Sequence, residues 1–126
     1  MDVRKLIPKN KHDQSRINEL KKLTYEQIEP IIPDLLIWLQ DMNWPIGRPV
    51  ADILKPFVNR MTPEIIKILR TNDSLWEFWV MVNLLRDTTD TLVLAEIERI
   101  AKFPSKTEIE DEVNIEAIAI LNGDYK

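Results

Sequence analysis

The sequence predicts an all-α protein, an α-α superhelix in which a lead helix precedes three helix pairs. Three observations lead there. Two stretches read as copies of each other, Pro30–Trp44 and Pro63–Trp76. Each is an apolar helical run that closes on an aspartate and then a tryptophan (Asp41 and Trp44, Asp73 and Trp76), and each leads into a second apolar run. Their offset is about 32 residues, the period of stacked helix-pair repeats. Only two glycines are present and strand-like alternation is hard to find, while the eight prolines stand mostly where helices would begin.

The elements follow in order. Residues 1–12 are basic and turn-like, with Pro8 and Asn10, and are expected to be irregular. Asp13 or Ser15 can cap a lead helix running to about Leu23, with Ile17 and Leu20 inward. The next helix carries Ile28, Ile31, Ile32, Leu35, Leu36 and Leu39 in one stripe of spacings three and four. Pro30 and Pro33 predict a break near Glu29 and a restart, because proline is tolerated only in a helix's first turn. Asp41–Pro45 is a turn, and the following helix carries Ile46, Val50, Ile53, Leu54 and Phe57, with Pro49 demanding a late start or a kink.

Thr62-Pro63 opens a helix with Ile65, Ile68 and Leu69 inward. Ser74-Leu75-Trp76-Glu77 has the form of a capping box and starts a helix to about Arg86. That helix is apolar on nearly every side, which predicts cover on most faces and core positions for Trp76 and Trp79. A sixth helix holds Val93, Ile97, Ile100 and Ala101 and stops at Phe103-Pro104. Thr107–Glu110 reads as a further capping box, opening a last helix with Ile109, Val113, Ala117, Ile120 and Leu121. Gly123 supplies a left-handed stop. At 126 residues the chain is read as one domain over 1–126, long enough to bury a core without disulfides or metal.

Composition bounds the chemistry. With 17 basic against 21 acidic residues the net charge is −4, a poor basis for wrapping nucleic acid, and no nucleic-acid partner is expected. The absence of cysteine excludes thiolate zinc, iron–sulfur and thiol-nucleophile chemistry and fits a reducing cytoplasm. No apolar run of about 20 residues exists, so no membrane span is expected, and the N-terminus lacks a signal-peptide core.

The catalytic inventory is thin. His12 is the only histidine and sits among Lys9, Lys11 and Asp13, without partners for a zinc site or a serine triad. Two glycines cannot build a phosphate loop. The cluster Glu108, Glu110, Asp111, Glu112 and Glu116 reads as favourable charge near a helix N-terminus, facing water. No metal, cofactor or catalytic residue is expected. The basic start (Arg4, Lys5, Lys9, Lys11) reads as solvated surface able to touch an acidic partner.

One constellation suggests binding: Trp38, Asp41, Asn43 and Trp44. Trp38 lies off the main stripe, and off-stripe tryptophans either fill gaps between helices or lie partly exposed, where they are enriched at binding hot spots. Asp41 and Asn43 beside the rings offer either helix caps or the polar groups of a ligand groove.

Trp38-Leu39-Gln40-Asp41 followed by Asn43-Trp44-Pro45, the opening Leu6-Ile7-Pro8-Lys9, and Asp73 leading into a tryptophan-rich helix resemble a small bacterial family of uncharacterised proteins, domain of unknown function 5071, along nearly the whole chain. The resemblance implies a compact HEAT-like helical domain and transfers no activity and no catalytic residue. The leading expectation is a non-enzymatic protein- or peptide-binding module, since repeat faces bind. Alternatives are a carboxylate-dependent hydrolase or lyase acting on a sugar or base at the Trp38–Trp44 turn with Asp41 as acid or base, and an immunity-type inhibitor of a toxin.

Overall fold

A computed structural model describes residues 2–126; all regular structure among them is helical, with no strand. The chain divides into two compact units, Met1–Phe57 and Val58–Lys126.

The N-terminal unit is made of short pieces. A 3₁₀ turn, Val3–Leu6, is opened by the Asp2 carboxylate, which accepts the Arg4 N–H at 3.0 Å. It lies within the stretch expected to be irregular, and it buries Leu6 and Pro8. Helix α1 (Ile17–Leu20) is much shorter than the lead helix expected. Asp13 accepts the Ser15 N–H and closes a turn ahead of the helix instead of capping it. Helix α2 (Tyr25–Ile28) begins with a reciprocal box in which Thr24 Oγ1 accepts from Gln27 N and Gln27 Oε1 accepts from Thr24 N. The break expected at Glu29 is present: a 3₁₀ turn, Glu29–Ile31, separates α2 from α3 (Ile32–Leu36). Pro30 and Pro33 each sit in the first turn of the piece they open, where their missing N–H costs nothing. The apolar stripe survives the break, and Ile28, Ile31, Ile32, Leu35, Leu36 and Leu39 are all buried. Helix α4 (Gly47–Leu54) starts late, with Pro49 in its first turn, and packs against α1 and α3.

The C-terminal unit holds longer helices: α5 (Thr62–Leu69), α6 (Ser74–Val80) continuing into a π-helical turn Met81–Leu85, α7 (Thr91–Lys102), α8 (Lys106–Glu110) and α9 (Val113–Leu121). Helix α7 lies against both α5 and α9, and α6 packs on the same two. Residues at spacings of three and four meet there: Ile65, Ile68 and Leu69 from α5, Val93, Ile97 and Ile100 from α7, Val113, Ala117 and Ile120 from α9. Asp90 starts α7 by accepting from the Leu92 and Val93 amides, and its other oxygen accepts from the Thr62 hydroxyl, tying the starts of α5 and α7.

Several local expectations are corrected. The cap of α6 is Asp73, whose Oδ1 accepts the Trp76 N–H at 3.3 Å; Ser74 is already helical and donates its hydroxyl to Asp111. The cap of α8 is Ser105, paired reciprocally with Glu108, and not Thr107. Helix α6 is not covered all round: Leu75 is 52% exposed, and Trp76, Phe78 and Trp79 are half-buried and not fully in the core. The expected last helix is broken at Glu112, which takes a left-handed backbone (φ 61°) between α8 and α9. Gly123 ends α9 as expected, at φ 74°. The Asp124 N–H reaches Ala119 O and the Gly123 N–H reaches Ile120 O, a Schellman closure that satisfies two end carbonyls.

Candidate functional site

The turn singled out in the sequence is ordered by its own backbone. Trp38 lies in the 3₁₀ turn Ile37–Leu39 that follows α3, and Trp44 in the loop before α4. The Trp44 N–H donates to Asp41 O and the Gly47 N–H to Trp44 O. Met42 packs so closely over Gly47 that a Cβ there would meet its Sδ at 3.2 Å, which requires glycine or a shift of the methionine. The fold brings the two tryptophans together, with ring centroids 5.8 Å apart at 71°, an edge-to-face pair with both rings half-buried. Asp41 Oδ1 accepts the Asn43 N–H at 2.8 Å, and the Asn43 side chain is exposed. The aromatic wall is thus largely the two rings covering each other, and one Asp41 oxygen is engaged in holding the turn.

The acidic cluster expected to face water divides in two. Glu110 and Glu112 are exposed, but Glu108 is 0% exposed and Glu116 is buried. Glu108 is gripped by Arg99 through two bonds, Nη1 to Oε1 at 2.6 Å and Nη2 to Oε2 at 3.1 Å, and accepts the Ser105 N–H at 2.8 Å. Arg99 Nη2 also donates to the last-turn carbonyl of Leu69 at 3.0 Å, so one guanidinium joins α5, α7 and α8. Glu116 accepts from Arg86 Nε and from the Tyr125 hydroxyl, both at 2.8 Å, with the Arg86 guanidinium 4.0 Å above the Tyr125 ring.

Beside Glu108 lies Glu77, also 0% exposed. As a carboxylate it would leave both oxygens without a partner; as the protonated acid it donates a hydrogen bond to Glu108. Burial pushes its carboxyl up to about 9, helped by the shared hydrogen bond and the negative charge of Glu108 and opposed by Arg99. For Glu108 burial acts upward too, but the hydrogen bonds from Glu77, Arg99 and the Ser105 amide outweigh it and hold the group at about 2. At neutral pH the two carboxyls hold one proton between them. Both are sealed from solvent. Among the described residues, no three histidine, aspartate or glutamate side chains group as metal ligands would.

The third feature is the outside of α9. Its inner side carries Val113, Glu116, Ala117 and Ile120. Its outer side is apolar too: Ile115 is 58% and Ile118 43% exposed, and Ile109 of α8 is 54% exposed. No charged side chain stands on that outer face; Glu110 and Glu112 precede it and Asp124 follows.

The family model described as "Domain of unknown function (DUF5071)" matches residues 6–121. The chain belongs to this family. The match takes in the Trp38–Trp44 turn, the Glu77–Glu108–Arg99 cluster and all of α9. No curated protein matches the chain.

Two of these features escaped sequence reasoning, and both left a signal. Glu77 is spaced three and four residues from buried Val80 and Met81, and Glu116 three and four from buried Val113 and Ile120. A carboxylate in register with an apolar stripe has to find a cationic or protonic partner inside.

Proposed function

We propose that this DUF5071 protein is a non-enzymatic module of bacterial cytoplasm, a HEAT-like stack of helix pairs that binds a protein or peptide through the outer face of α9. The observation that carries the reading is Ile115 and Ile118 standing exposed on a helix whose buried side already fills the core, with Ile109 of the preceding helix exposed as well. A surface helix that served only the fold would carry polar groups there. The partner's chemistry follows from the surroundings: an apolar centre with a basic rim. Val58–Lys126 holds thirteen carboxylates against eight lysines and arginines, and acidic residues stand at both ends of the face. A basic toxin held by its inhibitor is one instance of such a partner. The repeat offset and the packing of α7 between α5 and α9 support the helix-pair stack. Absence of cysteine supports the compartment. The Trp38–Trp44 turn, with Asp41 and Asn43, is the N-terminal unit's own candidate contact; its rings are occupied with each other, so α9 is the stronger surface.

The test compares the wild type with the double variant Ile115→Lys, Ile118→Lys in capture from a bacterial extract, with helicity checked by circular dichroism. A basic protein retained by the wild type, lost from the variant and released by salt supports the reading. Equal capture by both refutes it, as does a wild-type dimer that the variant converts to monomer, which would make the face a self-interface.

A further inference from the structure

We infer that the N-terminal unit carries a second, unrelated site: a pocket for a phosphate dianion, free or borne as a phosphomonoester. It lies in a depression of about 440 Å³ at the basic start of the chain. Three basic side chains, Lys5, Lys9 and Arg16, line it together with His12 and Asn10.

The loop that presents these groups is built. Asp13 accepts the Lys9 N–H at 2.9 Å through one oxygen, and the Ser15 N–H at 3.2 Å and hydroxyl at 2.6 Å through the other. The one carboxylate of the lining is thereby turned onto the loop's own donors, which also hold its carboxyl below the usual range, the Ser15 hydroxyl foremost. Asn10 Oδ1 accepts the His12 N–H at 2.9 Å, leaving the Asn10 amide nitrogen as a donor. Lys11 O accepts the Ile46 N–H at 3.0 Å, and Leu6 and Pro8 are buried, so the loop is anchored at both ends. Arg16 gives Nη1 to Glu19 at 3.1 Å and keeps its remaining donors.

A single doubly charged group fits this arrangement better than a polymer. The three basic side chains line one concavity, and both fork and point donors are thus available to a phosphate there. Met1–Phe57 carries nine basic and eight acidic residues, little net charge with which to hold a nucleic acid backbone.

The experiment is an amide NMR titration of the full chain with sodium phosphate and, separately, glycerol 3-phosphate, at constant ionic strength. Shifts centred on Lys9–Arg16 that saturate with a midpoint near or below about 1 mM are expected. Tighter binding of the ester assigns the ligand as a phosphomonoester, and equal binding assigns free phosphate. Lys9→Ala with Arg16→Ala is expected to weaken binding at least about tenfold, against little change for Lys21→Ala with Lys22→Ala, which removes the same charge outside the depression. Shifts still linear at about 20 mM, or equal weakening by both double variants, overturn the site. So does tighter, steeply salt-dependent binding of a single-stranded oligonucleotide with shifts spread beyond the loop. None of these outcomes bears on α9.

Discussion

Replacing Glu77 by glutamine is expected to change how stability depends on pH more than stability itself. In the folded chain Glu77 keeps its proton up to about 9, against about 4.5 for an ordinary glutamate, because it is buried and hydrogen-bonded to Glu108. Between those two values the folded state holds a proton that the unfolded state has released. Stability therefore falls as pH rises through that window and levels off above it. A fully expressed shift corresponds to a loss on the order of 1 kcal/mol per pH unit, and on the order of 5 kcal/mol across the window. That is comparable to the entire stability of many domains. Glutamine keeps the shape and can donate an N–H to Glu108 without titrating. Urea unfolding followed by far-ultraviolet circular dichroism, from pH 5 to 9.5, reads the difference. The wild type should lose stability steadily toward alkaline pH, and Glu77→Gln should stay nearly flat and be the more stable protein at pH 9. Parallel curves for the two proteins would refute the protonated pair. Glu108 sets the opposite arm: with its carboxyl held at about 2, its contribution is present above about 4.5 and lost as pH falls toward 2, in both proteins.

Two further outcomes are expected. Glu112→Gly should raise stability by about 0.5–1 kcal/mol in chemical denaturation, because Glu112 sits at φ 61°, where a Cβ crowds the backbone and glycine does not; unchanged or lower stability would mean that the left-handed turn is not strained. Asp41→Ala should cost about 1 kcal/mol by removing the acceptor for the Asn43 N–H, and a change below about 0.3 kcal/mol would show the turn held by the Trp38–Trp44 pair alone.

What was legible in the sequence was set by spacing and by residues with hard backbone preferences. The stripe from Ile28 to Leu39, the break at Glu29 and the stop at Gly123 each follow from a local rule that tertiary packing does not override. Caps were legible only to within a residue or two. Asp73 stands beside Ser74, and Ser105 two places before Thr107, and each of the four could accept the required N–H. The mistaken cap concealed Glu77: a glutamate three residues after a serine is read as reaching back, when here Ser74 turns to Asp111 and Glu77 points inward. The burial of Glu108 depends on Arg99 and the Leu69 carbonyl, brought together only by the packing of α5, α7 and α8. The Trp38–Trp44 turn was visible as a motif, but that the rings meet edge to face depends on the backbone between them.

The buried Glu116 and the exposed isoleucines belong to one arrangement. Helix α9 places its only charged side chain, Glu116, on the buried side, where it needs Arg86 and Tyr125 to satisfy it. It places Ile115 and Ile118 outside, where each leaves apolar surface in water. Both choices cost stability relative to the reverse: a buried ion pair gains little over apolar packing, and each aliphatic side chain left about half exposed forgoes on the order of 1 kcal/mol of burial. Interchanging the characters of positions 115 and 116 would give an ordinary amphipathic helix on the same backbone. Folding alone supplies no reason for the inverted pattern, whereas a partner that covers the isoleucines recovers their burial on binding and meets a surface whose neighbouring charge is mostly acidic, Glu110, Glu112 and Asp124 against Lys106 and Lys126. A triple replacement Ile115→Glu, Glu116→Ile, Arg86→Met, which removes both members of the ion pair, therefore separates the two demands: it should preserve or raise stability in urea while abolishing partner capture, and a loss of stability of several kcal/mol would instead assign the inversion to the fold.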